Sequence, residues 1–392
     1  MNIGLQCKIS AMAVALMGIL GVSICISEAL ARNCIRVVLF LVLLSCVLHP
    51  NLLKRLVRVK LVLCSMLVFF SVMLISAIYG GQFSEVVHEN LFWLQYTALI
   101  MPACVLILDQ KKNTYMLLYL TYLSVLIADF YVFYQTANGV FRPYLLIAPS
   151  VMGSTCIYAT LIPAMVASIF DENASYRGRI FSAVCALFSM AGLICSNTRG
   201  GWLAVFPLVF VIMLWYLKSW RKRVVAVVGC IFVAVSILAV SPSVYTRANS
   251  IVHGNKQQSV TERFIMWETA TKIGIDHPVI GVGKGNYSHV YNDIYKPADA
   301  KESPSHAHSN LFMLLGEDGF LGLLSYCFVT LSCLVFGWKY RKNIFGMIIV
   351  VSTLGFSFYS LTDYTLTSYE SVRVFWFLMG ICASNVLLDN AI

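Results

Sequence analysis

Long apolar runs alternate with short polar turns along almost the whole chain. A helix crossing a hydrocarbon core of about 30 Å needs about 20 apolar residues. At that length the runs predict twelve spans, at 9–27, 35–49, 59–79, 91–109, 114–136, 145–170, 179–196, 201–217, 223–241, 319–338, 344–366 and 372–389. The runs do not alternate with period two, as a barrel strand of about ten residues would. One long polar interval remains, residues 242–308. Inside it "TERFIMWETATKIG" carries apolar residues at Phe264, Ile265, Trp267 and Ile273, a helical spacing with Thr261 as a candidate cap. The expected fold class is an all-α integral membrane protein with about twelve transmembrane helices. It divides into spans one to nine (1–241), one large loop (242–308), and a turn of helix followed by the last three spans (309–392). No repeat of 20–50 residues is visible, nor the inverted repeat of many secondary transporters.

Composition agrees. Of 392 residues 59% are hydrophobic and 12% charged, with a mean hydropathy of +0.79; a soluble domain carries about 25% charged residues. The net charge of +10 would suggest nucleic acid in a soluble protein. Here the basic residues cluster between apolar runs, so they report topology and no nucleic-acid partner is expected. With the N-terminus inside, the inner segments hold Lys8, Lys54, Arg55, Arg58, Lys60, Lys111, Lys112, Arg177, Arg179, Lys218, Arg221, Lys222, Arg223, Lys339, Arg341 and Lys342, sixteen in all. The short outer loops hold five: Arg32, Arg36, Arg142, Arg199 and Arg373. Both termini are therefore expected in the cytoplasm and the large loop on the outer face. Ala29-Leu30-Ala31 after the first run resembles a signal-peptide cleavage site, but the run is long enough to span and an uncleaved first helix is expected. The thirteen cysteines lie mostly within apolar runs and show no disulfide or CxxC metal pattern.

Arginines kept on the outer face against that bias are candidates for use. Arg199 sits in "CSNTRGGWLA", where Gly200 and Gly201 would let the backbone approach a ligand; Arg142 lies in "GVFRPY", Arg373 opens the last span, and Arg263 lies in the large loop. The guanidinium fork matches phosphate oxygens, and snorkelling to lipid headgroups is the plainer alternative. His306 and His308 end the loop. A metal site needs three or four ligands; only Asp299 and Glu302 lie close in sequence, so no metal is expected. A histidine without a role and a general base remain. If Ser305 caps the following helix, His308 falls in its first turn, where the dipole favours the neutral imidazole that a base needs. Gly316, Gly319 and Gly322 read as one helical face for close packing, and "GVGKGNY" as a turn-rich loop edge. Asp129 and Asp363 are rare acids within spans, near the outer ends, and could balance arginines or bind sugar.

Three motifs together resemble the O-antigen ligase/polymerase superfamily of bacterial envelope glycosyltransferases. They are "SNTRGGW", where the family has a Ser-Arg-Gly element and this chain has Thr198-Arg199-Gly200; "ERFIMWETATKIGIDHPVIGVGKGNY" (Glu262–Tyr287); and His308-Ser309, nine residues, then Gly319-x-x-Gly322. The resemblance covers roughly 195–325. It implies a GT-C-like helical glycosyltransferase in the bacterial inner membrane with its site facing the periplasm. The implied donor is O-antigen on undecaprenyl pyrophosphate and the acceptor is the lipid A–core oligosaccharide. Arg199 and Arg263 would hold the pyrophosphate and His308 would be the base, with Arg142, Arg373, His306 and Asp363 as secondary candidates and no metal or other cofactor. Ligation by inverting transfer is the expected reaction. Polymerisation from the same donor is the near alternative, and a lipid-linked oligosaccharide flippase the alternative of a different class.

Overall fold

The computed structural model describes residues 3–81, 99–221, 223–224 and 258–389. It shows helices α1 (Ile3–Ser23), α2 (Glu28–Leu48), α3 (Lys60–Tyr79), α4 (Ile100–Ile107), α5 (Lys111–Ala137), α6 (Val151–Ser168), α7 (Tyr176–Cys195), α8 (Arg199–Tyr216), α9 (Gln258–Asp276), α10 (Asn310–Lys339), α11 (Ile344–Ser360) and α12 (Tyr369–Asp389), and no strand among those residues. This is an all-helical membrane protein. Among the described residues nine helices are long and apolar enough to cross a membrane, counting α3 with the 3-10 stretch Pro50–Val59 before it, and the apolar α11 is shorter. Of the twelve expected spans, the ninth (223–241) beyond residue 224 and the start of the fourth lie outside the described residues. So do residues 242–257 of the large loop.

Helices α6 and α12 form the centre, each 94% buried. Between α6 and α11 the approach is backbone to backbone, since a Cβ on Gly355 would collide with the Ala159 carbonyl. Small residues permit this closeness where lipid offers no hydrophobic drive for association. Ala29-Leu30-Ala31 stands in the first turns of α2, with Ala31 fully buried, behind Ser27, which caps the helix by accepting from Leu30 N.

Charge separates the two ends of the bundle. Arg55 and Arg58, in the 3-10 stretch, donate to the carbonyls of Leu106 (3.1 Å) and Leu387 (3.3 Å), the last turns of α4 and α12. Such cations satisfy exposed carbonyls and suit the negative end of a helix. Lys111 pairs there with Asp389. At the opposite end the turn from α11 to α12 meets the starts of α8 and α10, since Gly200 adjoins Thr362 and Asn310 bonds Thr365, and the candidate residues lie there.

Several boundaries differ from expectation. The eleventh helix stops at Ser360, not 366, so Asp363 lies in the turn after it rather than inside a span. Helix α9 begins at Gln258, so Thr261 is within it and is not its cap. Helix α10 begins at Asn310 behind Ser309, so Ser305 caps nothing there and His308 precedes the first turn. The Gly316–Gly319–Gly322 face does not exist as one, because Gly319 breaks the helix with φ +66°. Its missing side chain admits the 279–281 turn: a Cβ there would lie 2.6 Å from Gly281 N and from Val279 O.

Candidate functional site

The site is built around the turn that joins α11 to α12. Asp363 is buried in that turn and accepts three hydrogen bonds, from the Tyr359 hydroxyl (2.9 Å), from Tyr364 N (2.9 Å) and from His308 Nδ1 (3.3 Å). Burial alone would raise its carboxyl. The bond and charge of His308, the Arg263 charge and the Tyr359 bond outweigh this and hold it below the ordinary carboxylate range. An ionised carboxylate only accepts, so in the neutral ring the pairing assigns the His308 proton to Nδ1 and leaves Nε2 as the acceptor. The tautomer thus follows from hydrogen bonding to Asp363.

His308 is delivered by its neighbours. Trp267 on α9 donates from Nε1 to the Ala307 carbonyl (2.9 Å) and stacks on Phe312, with ring centres 5.1 Å apart. Glu262 accepts from Lys301 N and Glu302 N, strapping the incoming loop onto α9. On the other side Asn310 donates to Thr365 Oγ1 (2.9 Å) and accepts from Thr365 N (2.8 Å). His308 itself takes φ +47°, a left-handed conformation that costs a non-glycine residue energy and is found disproportionately at functional sites.

Arg263 reaches the same turn, donating from Nη1 to the Thr362 carbonyl at 2.5 Å. Arg199, the first residue of α8, donates from Nη2 to Ser259 Oγ (3.2 Å) at the start of α9. A Cβ on the next residue, Gly200, would lie 2.5 Å from Thr362 Oγ1, so the Arg199 backbone also adjoins this turn. Gly201 is crowded by Thr155 in the same way. These two glycines therefore serve close packing against protein, not approach to a ligand. Arg142 is half-buried in the loop after α5. That loop leans on the turn before Arg199, because Asn197 Nδ2 donates to the Phe141 carbonyl at 2.9 Å. Arg373 is not brought to the site. It is fully buried and pairs with Glu28 at 2.5 Å, tying α12 to α2.

His306 lies beside His308, with ring centres 4.3 Å apart. Burial and the neighbouring His308 push its ring below the ordinary imidazole range, against the pull of Asp363. His306, His308 and Asp363 each place one ligand atom within 4.8 Å of the others. Three ligands could hold a zinc ion with one open position, although His308 Nδ1 and Asp363 Oδ1 already bond to each other. Sequence reasoning missed this third ligand because it sits 55 positions away.

Against this cluster opens a cavity of about 380 Å³, walled on one side by Phe69, Phe70 and Met73 of α3 and on another by Lys284, His306, Glu317 and Tyr364. Lys284 donates to Glu317 Oε2 (2.5 Å) and to the Tyr364 hydroxyl (2.7 Å). Burial alone would lower Lys284, but Glu317, Tyr364 and Asp318 hold its ammonium well above the ordinary lysine range. Lys284 was passed over in "GVGKGNY" as part of a loop edge. The signal was one cation framed by glycines. Gly283 and Gly285 have positive φ, and Gly283 packs where a Cβ would strike Gly80, which fixes Lys284 against α3 and α10.

Residues 181–327 match a family model described as O-Antigen ligase. The matched segment includes Arg199, Arg263, Lys284 and His308 but not Asp363. The chain is also similar to an uncharacterized protein of Haemophilus influenzae, 22% identical over 274 residues that cover 64% of this chain and 67% of that one. The resemblance read from the motifs thus holds over the segment that carries them. It supports a glycosyltransferase-like enzyme of the ligase or polymerase type, acting on lipid-linked polysaccharide.

Proposed function

We propose that the protein is an O-antigen ligase. It transfers O-antigen polysaccharide from undecaprenyl pyrophosphate to the lipid A–core oligosaccharide, at the periplasmic face of the bacterial inner membrane. The observation that carries this reading is the 362–364 turn, which ties the Arg263 guanidinium and the His308 imidazole to consecutive residues. The acceptor hydroxyl loses its proton to His308 Nε2 while its oxygen attacks the anomeric carbon from the side opposite the diphosphate. The bond from that carbon to the phosphate oxygen breaks, and its electron pair leaves with undecaprenyl pyrophosphate. Arg199 and Arg263 meet the charge that develops on the leaving group, where fixed donors act most strongly. Asp363 holds the imidazole in position and stabilises the imidazolium once the proton arrives. Direct displacement inverts the anomeric centre. No nucleotide or metal enters these steps.

The charge split along the bundle supports the topology. Arg55, Arg58 and Lys111 gather at one end and the site lies at the other, as expected when the basic end faces the cytoplasm.

Reconstitution tests the proposal. Purified protein in liposomes, given lipid-linked donor and lipid A–core without ATP, should yield ligated product, and His308→Ala should abolish it while the melting temperature holds. Movement of the lipid carrier with no new glycosidic bond would replace the enzyme by a flippase. Extension of the donor-linked glycan without lipid A–core would make it a polymerase.

A further inference from the structure

The cavity against α3 is separate from the arginines. Its lining includes Lys284, His306, Glu317 and Tyr364, but not Arg199, Arg263 or His308. Arg263 meets the turn at Thr362 and Lys284 meets it at Tyr364, so two cations approach neighbouring residues and only one faces the cavity. Resting on the ligase reading, we propose that this cavity is the acceptor subsite and takes an uncharged, hydroxyl-rich sugar, oriented by the Lys284–Glu317 pair.

Charge decides against the diphosphate as occupant. A leaving diphosphate needs unpaired positive charge, but the ammonium of Lys284 is matched by the Glu317 carboxylate at 2.5 Å. Glu317 is itself buried beside the ammonium, so the pair does not sum to a cationic site. A matched pair suits neutral hydroxyls, offering N–H donors and carboxylate acceptors close together. Lys284 has three protons; Glu317 and Tyr364 take two, which leaves one for a ligand. Glu317 also accepts from Gly285 N at 2.8 Å, so the pair is held rigidly before anything binds. The remaining chemistry is that of a sugar. Tyr364 and His306 both line the cavity, with ring centres 5.9 Å apart, and give its wall aromatic surface suited to the C–H side of a pyranose. The volume of about 380 Å³ lies within the ordinary range of ligand pockets. Position fits as well, because His306 in the cavity wall is next to His308. A hydroxyl at the cavity's edge therefore comes close to the base, while the arginine side is left to the donor.

The rim gives a test that spares the buried pair. Thr367 and Ser305 line the cavity and are exposed, so Thr367→Trp and Ser305→Trp fill it with little risk to the fold. Initial rates are measured in proteoliposomes against lipid A–core and, separately, against undecaprenyl-pyrophosphate-linked glycan. Binding of lipid-free core oligosaccharide is followed by NMR without donor. The expected result is a rise of tenfold or more in KM for lipid A–core, kcat within threefold, an unchanged KM for donor, and loss of oligosaccharide binding. If both variants keep the wild-type KM for lipid A–core, or if the donor KM rises instead, the cavity is not the acceptor subsite. If the wild-type protein transfers glycan to no acceptor, the ligase reading falls first and takes this inference with it.

Discussion

Asp363→Asn isolates the charge of the carboxylate behind His308. Its two oxygens now accept different bonds, Oδ2 from the Tyr359 hydroxyl and Oδ1 from both Tyr364 N and His308 Nδ1. An amide oxygen at the Oδ1 position keeps both of those bonds and turns its NH2 group to the Tyr359 hydroxyl. The ring keeps its proton on Nδ1, and what is lost is the negative charge that stabilises the imidazolium once Nε2 has taken the acceptor proton. General base catalysis is typically worth about 10²- to 10⁴-fold, so kcat should fall by that factor, equivalent to about 3 to 5 kcal/mol of barrier. Asp363 touches neither substrate in this mechanism, and both KM values should stay within threefold. Stability should drop by about 1 to 3 kcal/mol, the usual cost of a disturbed buried hydrogen bond, so the protein should still be recovered folded. The assay is ligation in proteoliposomes, read as transfer of polymer onto lipid A–core, with a thermal melt in parallel. Groups that act as one unit are strongly non-additive, so His308→Ala/Asp363→Asn should be no slower than His308→Ala alone. A kcat near wild type in Asp363→Asn, or clear additivity in the double variant, would refute the role given to the carboxylate charge.

Arg263→Lys keeps the charge but loses the fork that bonds Thr362 and would hold a diphosphate; ligation should fall tenfold or more, and full activity would reduce Arg263 to an anchor. His306→Ala should be milder than His308→Ala. Equal loss, together with zinc in the purified protein by mass spectrometry, would instead assign His306, His308 and Asp363 as a metal set. His306 also sets a pH dependence, since its folded value lies below its unfolded one. The unfolded chain then binds the extra proton first, so stability is complete above about pH 6.5 and declines as pH falls below it. His306→Gln should flatten the melting temperature in that window, and an unchanged slope would remove His306 as its source. Gly319→Ala should destabilise by about 3 kcal/mol or more, since φ +66° is strained for alanine and the new Cβ meets backbone at 2.6 Å. A wild-type melting temperature would show that the 279–281 turn can move aside.

How much of this was legible depends on the range over which each signal acts. Spans follow from composition over about 20 residues, and eleven of the expected twelve have a helix in the described residues. Their ends were less legible where neither glycine nor proline marks the stop. Ser360 and Leu361 give no local sign that α11 ends before Asp363. Arg199, Arg263 and His308 were singled out by motif, since each sits in a short pattern. Asp363 was seen as a rare acid in a span and a secondary candidate without its partner, because its three donors come from positions 308, 359 and 364 and only the first defines its chemistry. Arg373 went wrong for a related reason. Its position just inside an outer helix end fits a headgroup contact, but its partner, Glu28, is 345 positions away at the start of α2.

The same reasoning explains why Lys284 and His308, which sequence analysis treated so differently, belong to one arrangement. Each follows a segment whose backbone must run close to another element: the 279–285 turn against α3 and α10, and the 299–308 strap against α9. Glycines at 281, 283 and 319 allow the first approach, while Trp267 and Glu262 fix the second. Both segments end on the turn that carries Thr362, Asp363 and Tyr364, so a shift of that turn moves the arginine contact, the imidazole and the cavity wall together. A reaction that must hold a departing anion, a base and a nucleophile in register gains from such common anchoring, because misplacing any one of them forfeits the advantage of proximity. Loosening the anchor itself, as Asn310→Ala would by removing both bonds to Thr365, should therefore lower kcat and weaken acceptor binding in the same variant, which no substitution confined to Arg263, His308 or the cavity rim should do.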